Sequence, residues 1–225
     1  MPRVLVLCEY GSLNGGERSL LAVLGGLLAA GYRMIAAAPT DGPLAAEFAE
    51  HGVPVVGLDL HDRQGRRSEV SVCRERIRAV VEAVRPDLIH ANSLSMSRLT
   101  GPVAEQLGLP SLGHLRDIIK VPAAVIADLN RHTRLAAVSQ ATRDWYVAAG
   151  LDRVRTHVLY NGVDLTRFRP RPPSGYLHRE LELPPEASLV ASIGQIGMRK
   201  GLLTLMAAAR EVIDTADHVH FVIIG

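Results

Sequence analysis

Lysine is nearly missing from this sequence. Of its 25 basic residues only Lys120 and Lys200 are lysines; the arginines that make up the rest, beside many alanines, read as compositional bias rather than a binding signature. A formal net charge of +2 over 225 residues gives no reason to expect a nucleic-acid partner. Cysteine is equally scarce. Cys8 falls in the first predicted strand and Cys73 on the apolar stripe of a predicted helix, so no disulfide framework can form and a reducing cytoplasm is the expected setting. No run approaches the ~20 unbroken apolar residues of a membrane span, and the opening MPRVLVLCEYGS lacks the long apolar core of a signal peptide.

Several reaction classes lose their motifs too. There is no D-x-D pair to bridge a metal to a diphosphate and no Cys or His cluster at zinc spacing. His218 and His220 alternate along a predicted strand and read as surface or structural groups. A serine nucleophile would need G-x-S-x-G and a Walker site G-x-x-x-x-G-K-[ST]; neither occurs. The glycine-rich stretch after the first strand lacks the G-x-G-x-x-G spacing, and Ala38–Pro39 stand where a dinucleotide site would end its second strand with an acid. Both features count against a nicotinamide enzyme.

What remains is a regular alternation. Hydrophobic residues make up 48% of the chain, enough for at least one substantial core. Val4–Leu7 is an all-apolar run of the kind a parallel strand covered on both faces shows. Leu20, Leu21, Leu24, Leu27 and Leu28 then mark one face of a helix that Gly31 ends. Further strands are predicted at Met34–Ala38, Pro54–Leu58, Asp87–His90, Ser111–His114, Leu135–Ser139 and Thr156–Leu159, with helices near 43–51, 69–84, 96–107, 122–130 and 140–149. Right-handed crossovers between such strands give an α/β fold, an open parallel Rossmann-like sheet with helices on both faces. Ligands bind such sheets beyond the carboxyl ends of the strands.

The residues at those ends are the candidates. Asn14, Gly15 and Gly16 open the first helix; the glycines allow either a flexible turn or a close ligand approach. His90 ends the DLIH strand before Asn92, as a structural hydrogen bonder or a catalyst, and His114 stands in GHLRD with Arg116 and Asp117. Asn161–Gly162 permit a tight turn after the seventh strand. Five of the thirteen prolines then fall between Pro170 and Pro185, as in a linker. Beyond it the pattern restarts in LVASIGQIGMRKG at 189–201, where an apolar strand meets glycines and a lysine at a helix start near 199, a combination suited to phosphate. A further strand is predicted at 219–224. This divides the chain into a domain at 1–168, a Pro-rich linker at 169–187 and the opening of a second domain at 188–225.

The ordered set of GGE after the first strand, VSQAT, YNGVD-x-x-x-F and, about 30 residues on, SIGQIGMRKG resembles the retaining GT-B glycosyltransferases of family 4. The resemblance implies two Rossmann-like domains, the first taking the acceptor and the second a nucleotide-diphosphate-sugar, with no metal and no cofactor. It implies that Lys200, with Gly194, Gln195 and Arg199, contacts the donor diphosphate and that Gly15 and Gly16 approach phosphate or acceptor. His114 would lie beside the donor sugar as the catalytic group, Asn14, His90, Asn92 and Arg116 would line the cleft, and Asn161, Gly162 and Asp164 would join the domains. Gln195 departs from the arginine many relatives carry there, and the acidic E-x7-E element that the family carries later in its second domain is absent, so the chain is expected to hold a truncated second domain. A GT-B epimerase or phosphorylase relative and a non-catalytic binding module are the alternatives. For a lipid-linked acceptor, the arginines between Arg66 and Arg85, around a stripe of Val70, Cys73, Ile77, Val80 and Val84, suggest peripheral contact with an anionic membrane; a core-packing helix is the plainer reading.

Overall fold

A computed structural model of the chain describes residues 1–62 and 64–225, apart from the side chain of Arg199. It divides into two compact units, Met1–Phe168 and Arg169–Gly225.

The first unit is built on seven strands: β1 (Arg3–Leu7), β2 (Arg33–Ala38), β3 (Val55–Gly57), β4 (Leu88–Ala91), β5 (Ser111–Leu115), β6 (Arg134–Ala137) and β7 (Thr156–Val158). All pair in parallel in the order β3-β2-β1-β4-β5-β6-β7, the architecture expected from the alternation. Between them run α1 (Gly15–Ala29), α2 (Pro43–Glu50), α3 (Val70–Val84), α4 (Leu94–Gln106), α5 (Ala123–Leu129) and α6 (Gln140–Ala148). Strand periodicity sorts the core. Val4, Val6, Met34 and Ala36 face α1 and α2 with Leu20, Leu24, Leu44 and Phe48, whereas Leu5, Leu7, Ile89 and Ala91 face α3 and α4.

The chain winds outward from β1 in one direction, through β2 and β3, then returns to lay β4 on the other side of β1. That reversal places the topological switch point between β1 and β4, where a crevice opens at the strands' carboxyl ends.

Helix α3 answers the membrane expectation for its own stripe. Cys73, Ile77 and Val81 are buried on the sheet, with Val70, Val80 and Val84 packed around them, so this stripe packs into the core, as the plainer reading has it. Its flanking arginines are engaged as well: Arg74 with Asp128 at 2.7 Å, Arg67 with Glu9 and Arg66 with Asp62. No helix among the described residues is long and apolar enough to cross a membrane.

The second unit is sparse. It contains α7 (Tyr176–Glu180), β8 (Ser188–Ile193), α8 (Leu202–Ile213) and β9 (Val219–Ile224), with β8 parallel to β9 from Ser188↔Val219 to Ile193↔Ile224. Two expectations need correcting. The stretch expected to be a plain linker contains α7, started by Gly175 at φ 64°. The helix expected near 199 begins only at Leu202. Met198–Lys200 form a single 3-10 turn, and Gly201 at φ 72° breaks the path between the turn and α8, a conformation that costs glycine little.

Candidate functional site

Three chain segments meet at the switch point: the loop after β1, the loop after β4 and the end of β5. Asn92 follows β4 and is buried. Its side-chain amide donates to the carbonyl of Gly16 at 3.3 Å, tying the start of α1 to β4. Arg116, just past β5, reaches across to it: Nε donates to the Asn92 carbonyl at 2.9 Å and Nη2 to its Oδ1 at 2.8 Å. Nη2 also lies 3.1 Å from Nδ1 of His114. A guanidinium only donates, so Nδ1 accepts and the neutral ring carries its proton on Nε2, a buried nitrogen for which the described residues offer no partner.

Burial governs the electrostatics here. His114 is 6% exposed and stacks on His90 with centroids 5.7 Å apart. Burial first, then the Arg116 charge, pushes His114 down to about 3 and His90 down to about 4. Both are neutral imidazoles near pH 7. Burial also lowers Arg116, opposed by the neighbouring charge of Glu17. The Cys8 thiol beneath is raised to about 12 by burial and then by Glu17, which makes it inert as a nucleophile. Ser97 supports the backbone: its hydroxyl accepts from the His114 N–H at 3.0 Å and donates to Ser93 at 2.7 Å, while its carbonyl accepts from Nε2 of the buried His132.

Two hollows border this network. One, of about 580 Å³, runs along the sheet face under α1 between Val4, Leu88 and Leu112 and ends at His90, His114 and Arg116. The other, of about 460 Å³, opens at the switch point itself between the loops that carry Glu9, Tyr10, Asn92 and Ser93.

The structure thus brings Gly16, His90, Asn92, His114, Arg116 and Asn161 together; Asn161 accepts from Ser19 at 2.7 Å and from Arg116 at 3.4 Å. Gly16 is glycine for an internal reason, since a Cβ there would lie 3.2 Å from Cδ of Arg116. Gly15 and Asn14 sit at the exposed start of α1, with open space around Gly15 and the Asn14 side chain donating to Ser12. Gly162 and Asp164 are exposed; hydrogen bonds from the Thr166 hydroxyl and backbone to Asp164 hold its carboxyl below the usual range and close a local turn. Gly194, Gln195 and Lys200 lie exposed after β8 in the second unit, with Gly194 at φ 154°; the Arg199 side chain lies outside the described residues.

Sequence reasoning missed Glu9, His61, Arg67 and Glu17. Glu9, two residues past the end of β1, is 6% exposed, and its Oε1 faces Arg67 at 3.3 Å and His61 at 3.5 Å. Its one advance signal is a charged residue directly after the apolar run Val4–Cys8.

Set beside known proteins, this architecture has clear counterparts. The sequence pattern of Glycosyltransferase Family 4 matches residues 13–167, more than half of the chain, and the chain belongs to that family. HepE of Anabaena, solved with UDP and glucose, superposes with a TM-score of 0.78 at 20% identity over 99% of this chain and 60% of that one. A glycosyltransferase from Rickettsia africae gives 0.72 at 13% identity, covering 100% and 68%. A UDP-N-acetylglucosamine 2-epimerase from Rickettsia bellii gives 0.57 at 16% identity, covering 99% and 62%. At these identities the likeness shows the fold, GT-B. The chain spans about 60% of the length of HepE. No curated protein matches the sequence significantly.

Proposed function

We propose that this protein transfers a sugar from a nucleotide-diphosphate-sugar to an acceptor hydroxyl, with retention and without a metal. The observation that carries the reading is the family match over residues 13–167, laid on a sheet whose switch point holds the Gly16–Asn92–Arg116–His114 network. In the transfer, the acceptor oxygen bonds to the anomeric carbon as the bond from that carbon to the diphosphate breaks; the hydroxyl proton passes to the departing nucleoside diphosphate. Negative charge therefore grows on the leaving group, and preorganised cations and backbone N–H groups are what such charge requires. The residues after β8, Gly194, Gln195, Arg199 and Lys200, are assigned to it, as a donor-binding opening to the second domain. HepE, solved with UDP and glucose, supports a uridine nucleotide as the first donor to try. The missing D-x-D pair supports the metal-free route.

The epimerase neighbour keeps a second reading in view, because its fold is shared. Incubation with UDP-glucose and an acceptor mixture, followed by mass spectrometry and NMR, separates the two. A glycosylated acceptor of unchanged anomeric configuration, formed equally well in chelator, is the expected product. An isomerised sugar nucleotide formed without acceptor would overturn the assignment in favour of the epimerase, and binding without any turnover would favour a binding module.

A further inference from the structure

We propose that residues 167–173, with the sequence R-F-R-P-R-P-P, are a docking segment for a protein partner whose groove is lined by aromatic side chains and bordered by carboxylates. The proposal goes beyond the glycosyltransferase reading and stands or falls apart from it.

The sequence fixes the shape of this segment before any tertiary contact does. The rings of Pro170, Pro172 and Pro173 lock φ at about −65°, and a residue that precedes proline is pushed out of the helical region into extended backbone. Arg169, Arg171 and Pro172 each precede one. Every residue of 169–173 is thus a proline or the residue before one, and the run is held to polyproline II. That helix turns once in three residues and rises about 3.1 Å per residue, so Pro170 and Pro173 stand on one edge about 9 Å apart while Pro172 lies off it. The structure leaves the segment open: 169–173 belong to no helix or strand, and every residue from Asn161 to Ser174 is exposed.

Charge and spacing together name the partner. Arg167, Arg169 and Arg171 alternate with Phe168 and Pro170, and no Asp or Glu occurs between Asp164 and Glu180. Arg167 stands three residues before Pro170, which completes the spacing R-x-x-P-x-x-P. Its backbone N–H donates to Oδ1 of Asp164 at 3.3 Å, so the segment issues from a closed turn, and its guanidinium lies 5.3 Å from the centroid of the Phe168 ring, itself 61% exposed. A preordered extended chain loses little entropy when it binds, and aromatic faces pack well on a proline edge. Carboxylates at the border of such a groove meet the arginines. An anionic membrane would attract the same arginines but gains nothing from prolines spaced by three, so the spacing favours a groove.

The test uses a groove of this chemistry as the probe. The full chain is titrated by calorimetry with an isolated SH3 domain that binds R-x-x-P-x-x-P peptides, and in parallel is sedimented with phosphatidylcholine vesicles containing phosphatidylserine. One-to-one binding to the domain is expected. Changing the edge pair together, Pro170→Ala with Pro173→Ala, should weaken it at least about tenfold, and Pro172→Ala by no more than about threefold. Arg167→Gln should weaken it and flatten its dependence on salt. All four positions are exposed, so denaturant unfolding should be the same in every variant and a loss of binding is not a loss of fold. No binding by the unaltered chain, or equal losses for Pro172→Ala and the edge pair, would overturn the proposal. Vesicle binding that survives the edge-pair change, with no binding to the domain, would overturn it in favour of a membrane surface.

Discussion

Helices α3 and α8 carry comparable apolar stripes, yet their fates differ. In α3 the residues Cys73 and Ile77 are fully buried and Val81 is 2% exposed; in α8 Met206 remains 59% exposed and Ile213 51%. The difference lies in what each helix is offered. A seven-stranded sheet presents two wide faces, and α3 shares one of them with α4, whereas β8 and β9 present a strip two strands wide that reaches only the Leu202, Leu205 and Ala209 side of α8. Ala187 is the one buried residue described in the second unit. A stripe therefore predicts that a helix forms and says nothing about how much surface will cover it. A pair of strands with one long helix lies below the size at which burial offsets chain entropy.

The comparison breaks most easily at the core. Ile77→Ala removes a fully buried side chain and should cost about 2–5 kcal/mol of stability, since the cavity left behind adds to the lost transfer energy. Met206→Ala should cost well under about 1 kcal/mol, because the side chain is mostly in water already. Denaturant unfolding checks both, and hydrogen exchange gives the same contrast without mutation: slow exchange in β1, β4 and β5 against weak protection across 189–225. Equal costs, or strong protection throughout β8, α8 and β9 in a verified monomer, would show that the second unit is stabilised by contacts its burial does not reveal.

Acid should separate the units next. Burial holds His90 and His132 at about 4 and His114 at about 3, against the usual 6.5. The unfolded chain binds these protons below about pH 6.5 and the folded one does not, so stability is full above that value. It falls as the pH drops toward 4, by up to about 1.4 kcal/mol per unit for each ring. All three rings lie in the first unit, so its unfolding midpoint should drop between pH 6.5 and 4.5. A flat midpoint over that window would mean the rings open to water before the fold is lost.

Much of this contrast was legible in the sequence, and the residues say why. Strands such as Val4–Leu7 announce themselves because a doubly covered strand is apolar at every position, and Gly31 at φ 88° ends α1 as its spacing suggested. Helix α7 was hidden because five residues are too few to show a period amid the surrounding prolines. The break at Gly201 was hidden because a glycine after a lysine reads equally as a helix interior. At the site, Arg116, Asn92 and Gly16 were nameable as strand-end residues, but that Gly16 makes room for Arg116 is a fact of three dimensions. The Glu9–Arg67 pair spans 58 positions along the chain, and nothing local in either residue points to the other. His114 shows a further limit: a strand-end position says nothing about burial, while its 6% exposure and its stacking on His90 mean that His114→Ala should lower the melting temperature.

The two glycines at the start of α1 sharpen the comparison on a smaller scale. A methyl at Gly16 would meet Cδ and Nε of Arg116 at 3.2 and 3.3 Å, while one at Gly15 would meet nothing within 4 Å. Gly16→Ala should therefore cost about 1–3 kcal/mol by overpacking and shift the Asn92 amide signals as Arg116 moves. Gly15→Ala should change stability by no more than about 0.5 kcal/mol in either direction. If both are neutral, Arg116 is free to move aside and the network is looser than its hydrogen bonds imply.

The smallest effect on stability is expected at Lys200. Its side chain is exposed on the 3-10 turn before α8, so Lys200→Ala should leave the unfolding free energy within about 0.5 kcal/mol of the parent. Binding is where it should register, because a charge-assisted contact to phosphate is among the stronger hydrogen bonds; a loss of about tenfold in UDP affinity by calorimetry corresponds to about 1.4 kcal/mol. Unchanged affinity would withdraw Lys200 from the donor site. A large loss of stability would be the more instructive failure, since it would mean that the turn is packed against something, and the second unit would then be less bare than the exposure of Met206 and Ile213 indicates.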